Sequence, residues 1–162
     1  MLKIVTLCHI IDPKTGRILL GRKKRGFGVG KLNGFGGKIE PGESEREAAV
    51  REVHEEAGIE IRAEALRRAG KILFYFPYEP AFDHEVHLFA TERWAGEPQE
   101  TSEMAPAWFD LDAIPYEEMW ADDPHWMPLV LSGKTIEATF TFSEDNETVA
   151  EYDVREVGPE ES

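Results

Sequence analysis

Residues 37–59 read GKIEPGESEREAAVREVHEEAGI, and this segment predicts one acidic helix between two glycine-marked loops. Ser44 and Glu47 have the spacing of a capping box, which predicts that the helix begins at about Ser44. Gly58 predicts the end of the helix, because glycine is the preferred residue just after a helix terminus. The stretch therefore predicts a loop, a helix of about 14 residues and a second loop.

The predicted helix has an acidic face. A rotation of about 100° per residue brings Glu52, Glu55 and Glu56 together, away from the apolar face that contains Val53. Like charges at this spacing destabilise a helix unless a cation or basic side chains offset them. Carboxylates are ligands for Mg²⁺ and Mn²⁺, which also bind the phosphates of substrates. A solvated acidic surface is the alternative interpretation of these three residues taken alone.

Apolar and alternating segments on both sides of the acidic helix predict strands. These segments cover residues 4–11, 17–20, 71–77, 85–92, 105–111, 135–142 and 148–154, and residues 116–133 are predicted to be helical around their prolines. Strands and helices in this order predict an α/β (α+β) fold, an α/β/α sandwich with helices on both faces of a curved mixed sheet. We expect one domain over residues 1–157 and a frayed acidic tail over residues 158–162.

Length and charge limit the possible partners. The 162 residues are enough for one domain, and a net charge of -14 disfavours polymeric nucleic acid. A small phosphorylated ligand is compatible with that charge, since basic side chains and a divalent cation can reverse the field inside a cleft. No apolar run is long enough to span a membrane. We expect a soluble, cytoplasmic monomer with no membrane partner, in which the lone Cys8 is a buried structural thiol.

The spacing of residues within this segment resembles the signature of the Nudix hydrolase family. Gly37, Glu43 and the run REVHEEAGI at residues 51–59 occupy the defining positions. The resemblance implies the Nudix fold, Mg²⁺ as cofactor with Mn²⁺ as the alternative, and attack by water on a bridging phosphorus of a diphosphate. The catalytic and metal-binding residues that it implies are Arg51, Glu52, Glu55, Glu56 and Glu103, together with the carbonyl oxygen of Gly36.

The implied roles of two of these residues have alternatives. The resemblance implies that Arg51 forms a salt bridge that orients the glutamates, whereas a generic surface ion pair is the plainer interpretation. Glu103 is implied either as a further metal ligand or as the general base.

The resemblance extends beyond the signature. KKRGFGVGKLNGFGGKIEPGE at residues 23–43, ILFYF at 72–76, EVHLF at 85–89 and EMAPAWFDLDAIPYEEMW at 103–120 are similar to the animal MutT-homologue branch of the family. Members of that branch convert oxidised purine nucleoside triphosphates to a monophosphate and pyrophosphate. The resemblance thus implies 8-oxo-dGTP and 2-hydroxy-dATP as small-molecule substrates. The substrate-binding residues that it implies are Thr6, Lys23, Phe27, Asn33, Phe35, Gly37, Lys38, Phe74, Trp120, Asp122 and Asp123.

The chemistry of the implied base-binding residues is consistent with this role. The Asn33 amide offers a donor and an acceptor in one plane, which suits the edge of a purine. Asp122 and Asp123 cannot easily both ionise against one base, so a pair that shares a proton could accept either an oxidised guanine or an oxidised adenine. A simple turn before Pro124 is the alternative interpretation of the two aspartates.

The chain departs from the family pattern in two places, which bear on substrate preference. The first hairpin is lengthened by DPKTG at residues 12–16, and His84 stands near the position of a methionine that lines the pocket mouth in the relative. Two other functions stay open: a Nudix hydrolase of a methylated purine nucleotide or a nucleotide sugar, and a nucleotide-sensing module without catalysis.

Overall fold

A computed structural model describes residues 2–158, and within them one mixed sheet of eight strands is combined with two α-helices. The strands are β1 (Lys3–Asp12), β2 (Arg17–Lys23), β3 (Leu32–Asn33), β4 (Arg67–Tyr75), β5 (His84–Thr91), β6 (Met104–Asp110), β7 (Thr135–Phe142) and β8 (Val149–Val157). The helices are α1 (Glu45–Ala57) and α2 (Asp123–Leu131), with 3-10 turns at Ala63–Ala65, Pro80–Phe82, Leu111–Ala113 and Tyr116–Glu118. No helix within residues 2–158 is long and apolar enough to cross a membrane.

The strand order β3-β2-β1-β5-β4-β7-β8 makes the sheet mixed. Strand β1 runs parallel to β5, and β4 runs parallel to β7. The other pairs are antiparallel, including β6, which pairs along the length of β2. The loop after β3 pairs directly with β1, because the Thr6 amide donates to the Gly37 carbonyl at 2.9 Å and the Cys8 amide donates to the Phe35 carbonyl at 2.7 Å. These bonds position the loop that leads into α1.

Successive side chains of the buried strands point to opposite faces of the sheet, as the period of two requires. In β2, Ile18 and Leu20 belong to one core cluster, whereas Leu19 belongs to the other. In β5, Leu88 and Phe89 divide between the clusters in the same way. Each face of the sheet therefore has its own apolar core.

One α-helix covers each core. Val53 of α1 belongs to the cluster that contains Cys8 and Phe89, and Trp126 of α2 belongs to the cluster that contains Phe140. This arrangement confirms the predicted sandwich of helices on both faces of a mixed sheet. It also places Cys8 inside the protein, where burial raises the pKa of its thiol to about 12.

The predicted helix over residues 116–133 was too long. The chain forms a 3-10 turn at Tyr116–Glu118, becomes extended at Met119, and starts α2 only at Asp123. Pro124 is compatible with the first turn of α2 because no intrahelical donor is needed there. The two-residue strand β3 was not predicted, since its pairing with Gly21 and Arg22 has no local sequence pattern. Gly158 is described and exposed, and the rest of the predicted tail lies outside the described residues.

Candidate active site

Helix α1 is fixed at both ends by its own sequence. The Ser44 hydroxyl accepts a hydrogen bond from the Glu47 amide at 3.1 Å, and the Glu47 carboxylate accepts one from the Ser44 amide at 2.8 Å. Gly58 ends the helix with a left-handed φ of 72°, and its amide donates to the His54 carbonyl. The predicted capping box and helix end are both confirmed, so the acidic side chains project from a helix of fixed length.

Arg51 ties the acidic face together. Its guanidinium donates to both carboxylate oxygens of Glu43, at 2.8 and 3.0 Å, which is the bidentate geometry that favours arginine. The same group donates to Glu52 at 2.7 Å and to Glu55 at 3.3 Å. It also donates to the Lys38 carbonyl at 3.0 Å, on the loop before α1. This network contacts two of the acidic residues on α1 directly, which a generic surface ion pair does not do.

Glu52 packs against the loop at Gly37. A Cβ atom at Gly37 would lie 2.5 Å from a Glu52 carboxylate oxygen, so any larger residue would displace that side chain. Burial raises the pKa of Glu52, the Arg51 ion pair lowers it, and the charges of Glu55 and Glu103 raise it. The need for glycine at Gly37 therefore comes from the close approach of a carboxylate.

Glu56 is the buried acidic residue of α1, with 4% of its surface exposed. One of its oxygens accepts a hydrogen bond from the Gly36 amide at 2.9 Å. Burial raises the pKa of Glu56 to about 8, and the charges of Glu52 and Glu103 add to that effect, whereas Lys23 opposes it. A carboxylate in these surroundings is ionised at neutral pH only if positive charge comes close to it.

Glu55 and Glu103 are more exposed than Glu56. The Glu55 side chain is 49% exposed, and the Glu103 side chain is 42% exposed and lies 3.5 Å from Arg25. Within residues 2–158, no three acidic, histidine or cysteine side chains form a ready-made metal cage. The predicted convergence of Glu52, Glu55 and Glu56 is thus incomplete, because Arg51 holds Glu52 and Glu55 while Glu56 binds the Gly36 amide.

The donor set nevertheless fits a hard divalent cation. Glu56 is a buried carboxylate close to two other acidic groups, and positive charge would favour the ionised form of all three. The residues that could hold such an ion are Glu52, Glu55, Glu56, Glu103 and the carbonyl oxygen of Gly36.

A cavity of about 380 Å³ adjoins the acidic helix. Gly36 and Glu56 lie at its wall, which connects the acidic helix to a largely aromatic interior. The predicted substrate-binding residues that line it are Thr6, Lys23, Phe27, Asn33, Gly37, Lys38, Phe74, Trp120, Asp122 and Asp123. The Phe35 side chain does not line the cavity: it is fully buried in the core beneath α1, so its assignment to substrate binding is corrected.

Asp122 and Asp123 are buried side by side at the start of α2. Asp122 accepts a hydrogen bond from the Trp126 indole at 2.8 Å, whereas one oxygen of Asp123 has no partner within the described residues. Burial raises the pKa of Asp122 to about 6. Burial and the adjacent Asp122 raise the pKa of Asp123 well above its usual range. A turn alone does not account for two buried carboxylates in a cavity, and base binding by this pair stays a prediction.

Two aromatic side chains that line the cavity, Phe27 and Trp120, contact each other. The rings of Phe27 and Trp120 are stacked with centroids 5.0 Å apart and an interplanar angle of 22°. The stacked rings leave no space for a planar base between them. Lys31 also lies over Trp120, with its ammonium 4.9 Å from the ring centroid.

Two other polar side chains of the cavity, Asn33 and Thr6, have hydrogen-bonding groups without a partner among the described residues. The Asn33 side-chain oxygen accepts from the Gly34 amide at 3.0 Å, which leaves its amide group free to donate. The Thr6 hydroxyl is buried without a hydrogen-bond partner among the described residues. Both groups therefore offer hydrogen bonds to a ligand.

Sequence reasoning missed several lining residues. Lys31 and Phe82 line the cavity without having been assigned to it, whereas His84 lines it near the pocket-mouth position noted from the sequence. Trp126 is buried, and its indole donates to Asp122 inside the cavity. The abundance of aromatic residues was the available signal, but it does not distinguish core from cavity.

Comparison with known proteins identifies the class to which this fold and site belong. The NUDIX domain family matches residues 1–130, and the chain belongs to that family. Nudix hydrolases generally need divalent metal ions, which agrees with the donor set on α1.

Two relatives are similar over almost the whole chain. The oxidized purine nucleoside triphosphate hydrolase of Danio rerio is 44% identical over 155 residues, covering 96% of this chain and 96% of the relative. The protein of that name from Mus musculus is 42% identical over the same shares of both chains. Among solved structures, a MutT protein from Bacillus halodurans superposes with a TM-score of 0.77 and 25% identity, covering 94% of this chain and 97% of that chain.

Proposed function

We propose that the chain hydrolyses oxidised purine nucleoside triphosphates, 8-oxo-dGTP and 2-hydroxy-dATP, to the monophosphate and pyrophosphate. The observation that carries the proposal is the buried pair Asp122 and Asp123 in the same cavity as Glu56. One cavity thus combines base-reading carboxylates with the acidic group of the helix. The similarity to the two oxidized purine nucleoside triphosphate hydrolases supports this substrate class.

The base is bound at the aromatic end of the cavity. Trp120 provides a stacking surface once Phe27 moves away from it, and the Asn33 amide donates to the base. Asp122 and Asp123 share a proton at neutral pH, so one can accept from the base while the other donates. A pair that can exchange these roles accommodates the different edges of oxidised guanine and oxidised adenine.

The phosphates extend from the base towards α1. Lys23 and Lys38 line this part of the cavity and neutralise phosphate charge. A bound divalent ion, proposed to be Mg²⁺ with Mn²⁺ as a substitute, supplies Lewis acidity and lowers the pKa of a coordinated water. Glu52, Glu55, Glu56, Glu103 and the Gly36 carbonyl would hold it. Arg51 restrains Glu52 and Glu55, which would have to turn from it towards the ion.

The reaction breaks one bond between a phosphorus atom and a bridging oxygen. Oxygen from water adds to the α-phosphorus, pyrophosphate leaves with the bridging oxygen, and the proton lost by the water passes to a carboxylate of the site. Glu56 and Glu103 are both suited to accept it, because each lies within the acidic group. We further propose that the acidic single-domain chain acts as a monomer in the cytoplasm on free nucleotides.

Turnover of a substrate panel tests the proposal. Purified protein with Mg²⁺ is given 8-oxo-dGTP, 2-hydroxy-dATP, O6-methyl-dGTP and a nucleotide sugar, and the products are separated by ion-exchange chromatography. We expect a monophosphate and pyrophosphate from the oxidised purines. Preferred cleavage of the methylated purine or the nucleotide sugar would give the enzyme another substrate, and tight nucleotide binding without turnover of any compound would identify a sensing module.

A further inference from the structure

His84 has a defined position in the wall of the cavity. It begins β5, where it is paired with Lys3 of β1 and with Phe74 of β4. Its ring stacks on Phe74 with centroids 4.9 Å apart and an interplanar angle of 24°. The side chain lines the cavity, so its orientation is fixed by the strand and by an aromatic neighbour.

The hydrogen bonding of His84 determines which of its nitrogens carries the proton. Nδ1 lies 2.7 Å from the carbonyl oxygen of Phe82, which can only accept, so Nδ1 is the donor. In the neutral ring Nε2 then carries a lone pair, and it has no hydrogen-bond partner in the part of the chain that the structure describes. The wall therefore presents an acceptor to the cavity.

The surroundings of His84 keep its ring neutral. Burial lowers the pKa of His84, and the positive charge of Lys3 lowers it further. The Lys3 ammonium is held in place by the Ala81 carbonyl at 3.1 Å. Asp83 and the Phe82 carbonyl act in the opposite direction, but Asp83 is already occupied by the Phe76 amide at 2.6 Å. An acceptor at Nε2 is thus the resting state.

An acceptor in this wall complements one edge of an oxidised purine. The pair Asp122 and Asp123, which shares one proton, can accept from the N1–H of guanine and donate to its O6, both on the Watson–Crick edge. On the opposite, imidazole edge, ordinary guanine has a lone pair at N7, whereas 8-oxoguanine has an N7–H. An acceptor that faces N7 is therefore attracted by the oxidised base and repelled by the ordinary one.

We propose that His84 is a specificity-determining residue whose Nε2 accepts a hydrogen bond from the N7–H of an 8-oxopurine and disfavours the N7 lone pair of the undamaged base. The inference rests on the proposed function. It adds that His84 recognises the oxidised imidazole edge of the base directly, whereas the aspartate pair binds the opposite edge.

Two variants of His84 test the inference by steady-state kinetics. His84→Phe keeps the stacking ring and removes the acceptor, while His84→Gln keeps an acceptor without the ring. We expect His84→Phe to lower the ratio of kcat/KM for 8-oxo-dGTP over dGTP by about three- to tenfold, as the loss of one hydrogen bond predicts. The change should lie mainly in KM, and His84→Gln should retain part of the ratio.

The controls distinguish the two proposals. Because 2-hydroxy-dATP lacks an N7–H, the Michaelis constant for this substrate should not rise in His84→Phe, and the exposed His54→Phe should behave as the wild type. If the wild type does not hydrolyse 8-oxo-dGTP, the proposed function fails. If it does, but His84→Phe leaves the ratio unchanged or weakens the binding of both oxidised purines equally, only the role of His84 is refuted.

Discussion

At the residue scale, Glu56 is a buried carboxyl group that we propose as a metal ligand. Its pKa is raised from 4.5 to about 8, so the folded state holds the proton more tightly than the unfolded state. Stability from this group is therefore present at acid pH and is lost as the pH rises from about 4.5 to about 8.

Replacing Glu56 by Gln should separate stability from activity. Glutamine keeps the hydrogen bond from the Gly36 amide but cannot ionise, so in EDTA the Tm difference between variant and wild type should increase from pH 5 to pH 8. We expect kcat/KM to fall by about 100-fold or more, because an anionic ligand is lost. Mg²⁺ should raise the Tm of the wild type more than that of the variant.

Thermal unfolding and steady-state kinetics measure these effects, with the exposed Glu60→Gln as the matched control. Near-normal activity of Glu56→Gln would exclude Glu56 from the metal site.

Asp123, at the other end of the cavity, is also a carboxyl group whose burial opposes its ionisation. One of its oxygens is buried without a partner among the described residues, and its pKa is raised by burial and by Asp122. We expect Asp123→Asn to raise the Tm at pH 7.5 by about 2–4 °C, because a buried ionisable group is removed. The KM for 8-oxo-dGTP should rise about tenfold through loss of the shared proton.

Calorimetry measures the Tm, and steady-state kinetics measures the KM, of Asp123→Asn and of the exposed control Asp112→Asn. An unchanged KM would contradict base reading by the aspartate pair.

At the element scale, α1 is positioned by its caps and by Arg51. The capping box satisfies amides in the first turn, and a lost cap costs about 1 kcal/mol. We expect Ser44→Ala to lower the Tm by about 2–4 °C with an unchanged KM, since Ser44 lies outside the cavity. Differential scanning calorimetry measures the shift against the exposed Ser102→Ala, and equal Tm values for the two variants would show that the cap is dispensable.

The proposed stacking of a base on Trp120 requires the glycine-rich loop between β2 and β3 to move. Phe27 stacks on Trp120, and that contact has to open before a base can stack there. Binding of 8-oxo-dGMP should therefore change the tryptophan fluorescence of the wild type and of Trp94→Phe, and the change should be smaller in Trp120→Phe, which keeps only Trp126 at the cavity wall. An undiminished signal from Trp120→Phe would place the base elsewhere.

At the scale of the whole molecule, a net charge of -14 coexists with a cavity that contains basic groups. Lys3, Lys23, Lys31 and Lys38 line it and create a local positive field beside the acidic helix. On the proposed function, the overall charge disfavours polyanions and the lysines of the cavity favour a single triphosphate.

Local sequence patterns predicted much of this architecture. Ser44, Glu47 and Gly58 define α1 because capping depends on neighbours in sequence. The packing of Phe35 into the core and the stacking of Phe27 on Trp120 depend on contacts between distant elements, so periodicity did not show them. The burial of Asp122 and Asp123 was likewise invisible, because the same residues before a proline also suit an exposed turn.

The most direct test is the ratio of kcat/KM for 8-oxo-dGTP over dGTP in the wild type with Mg²⁺, with identification of the phosphate product. A ratio of about ten or more with release of pyrophosphate is the predicted result. A ratio near one, or release of orthophosphate, would contradict the central claim that the cavity selects oxidised purine triphosphates for cleavage to the monophosphate.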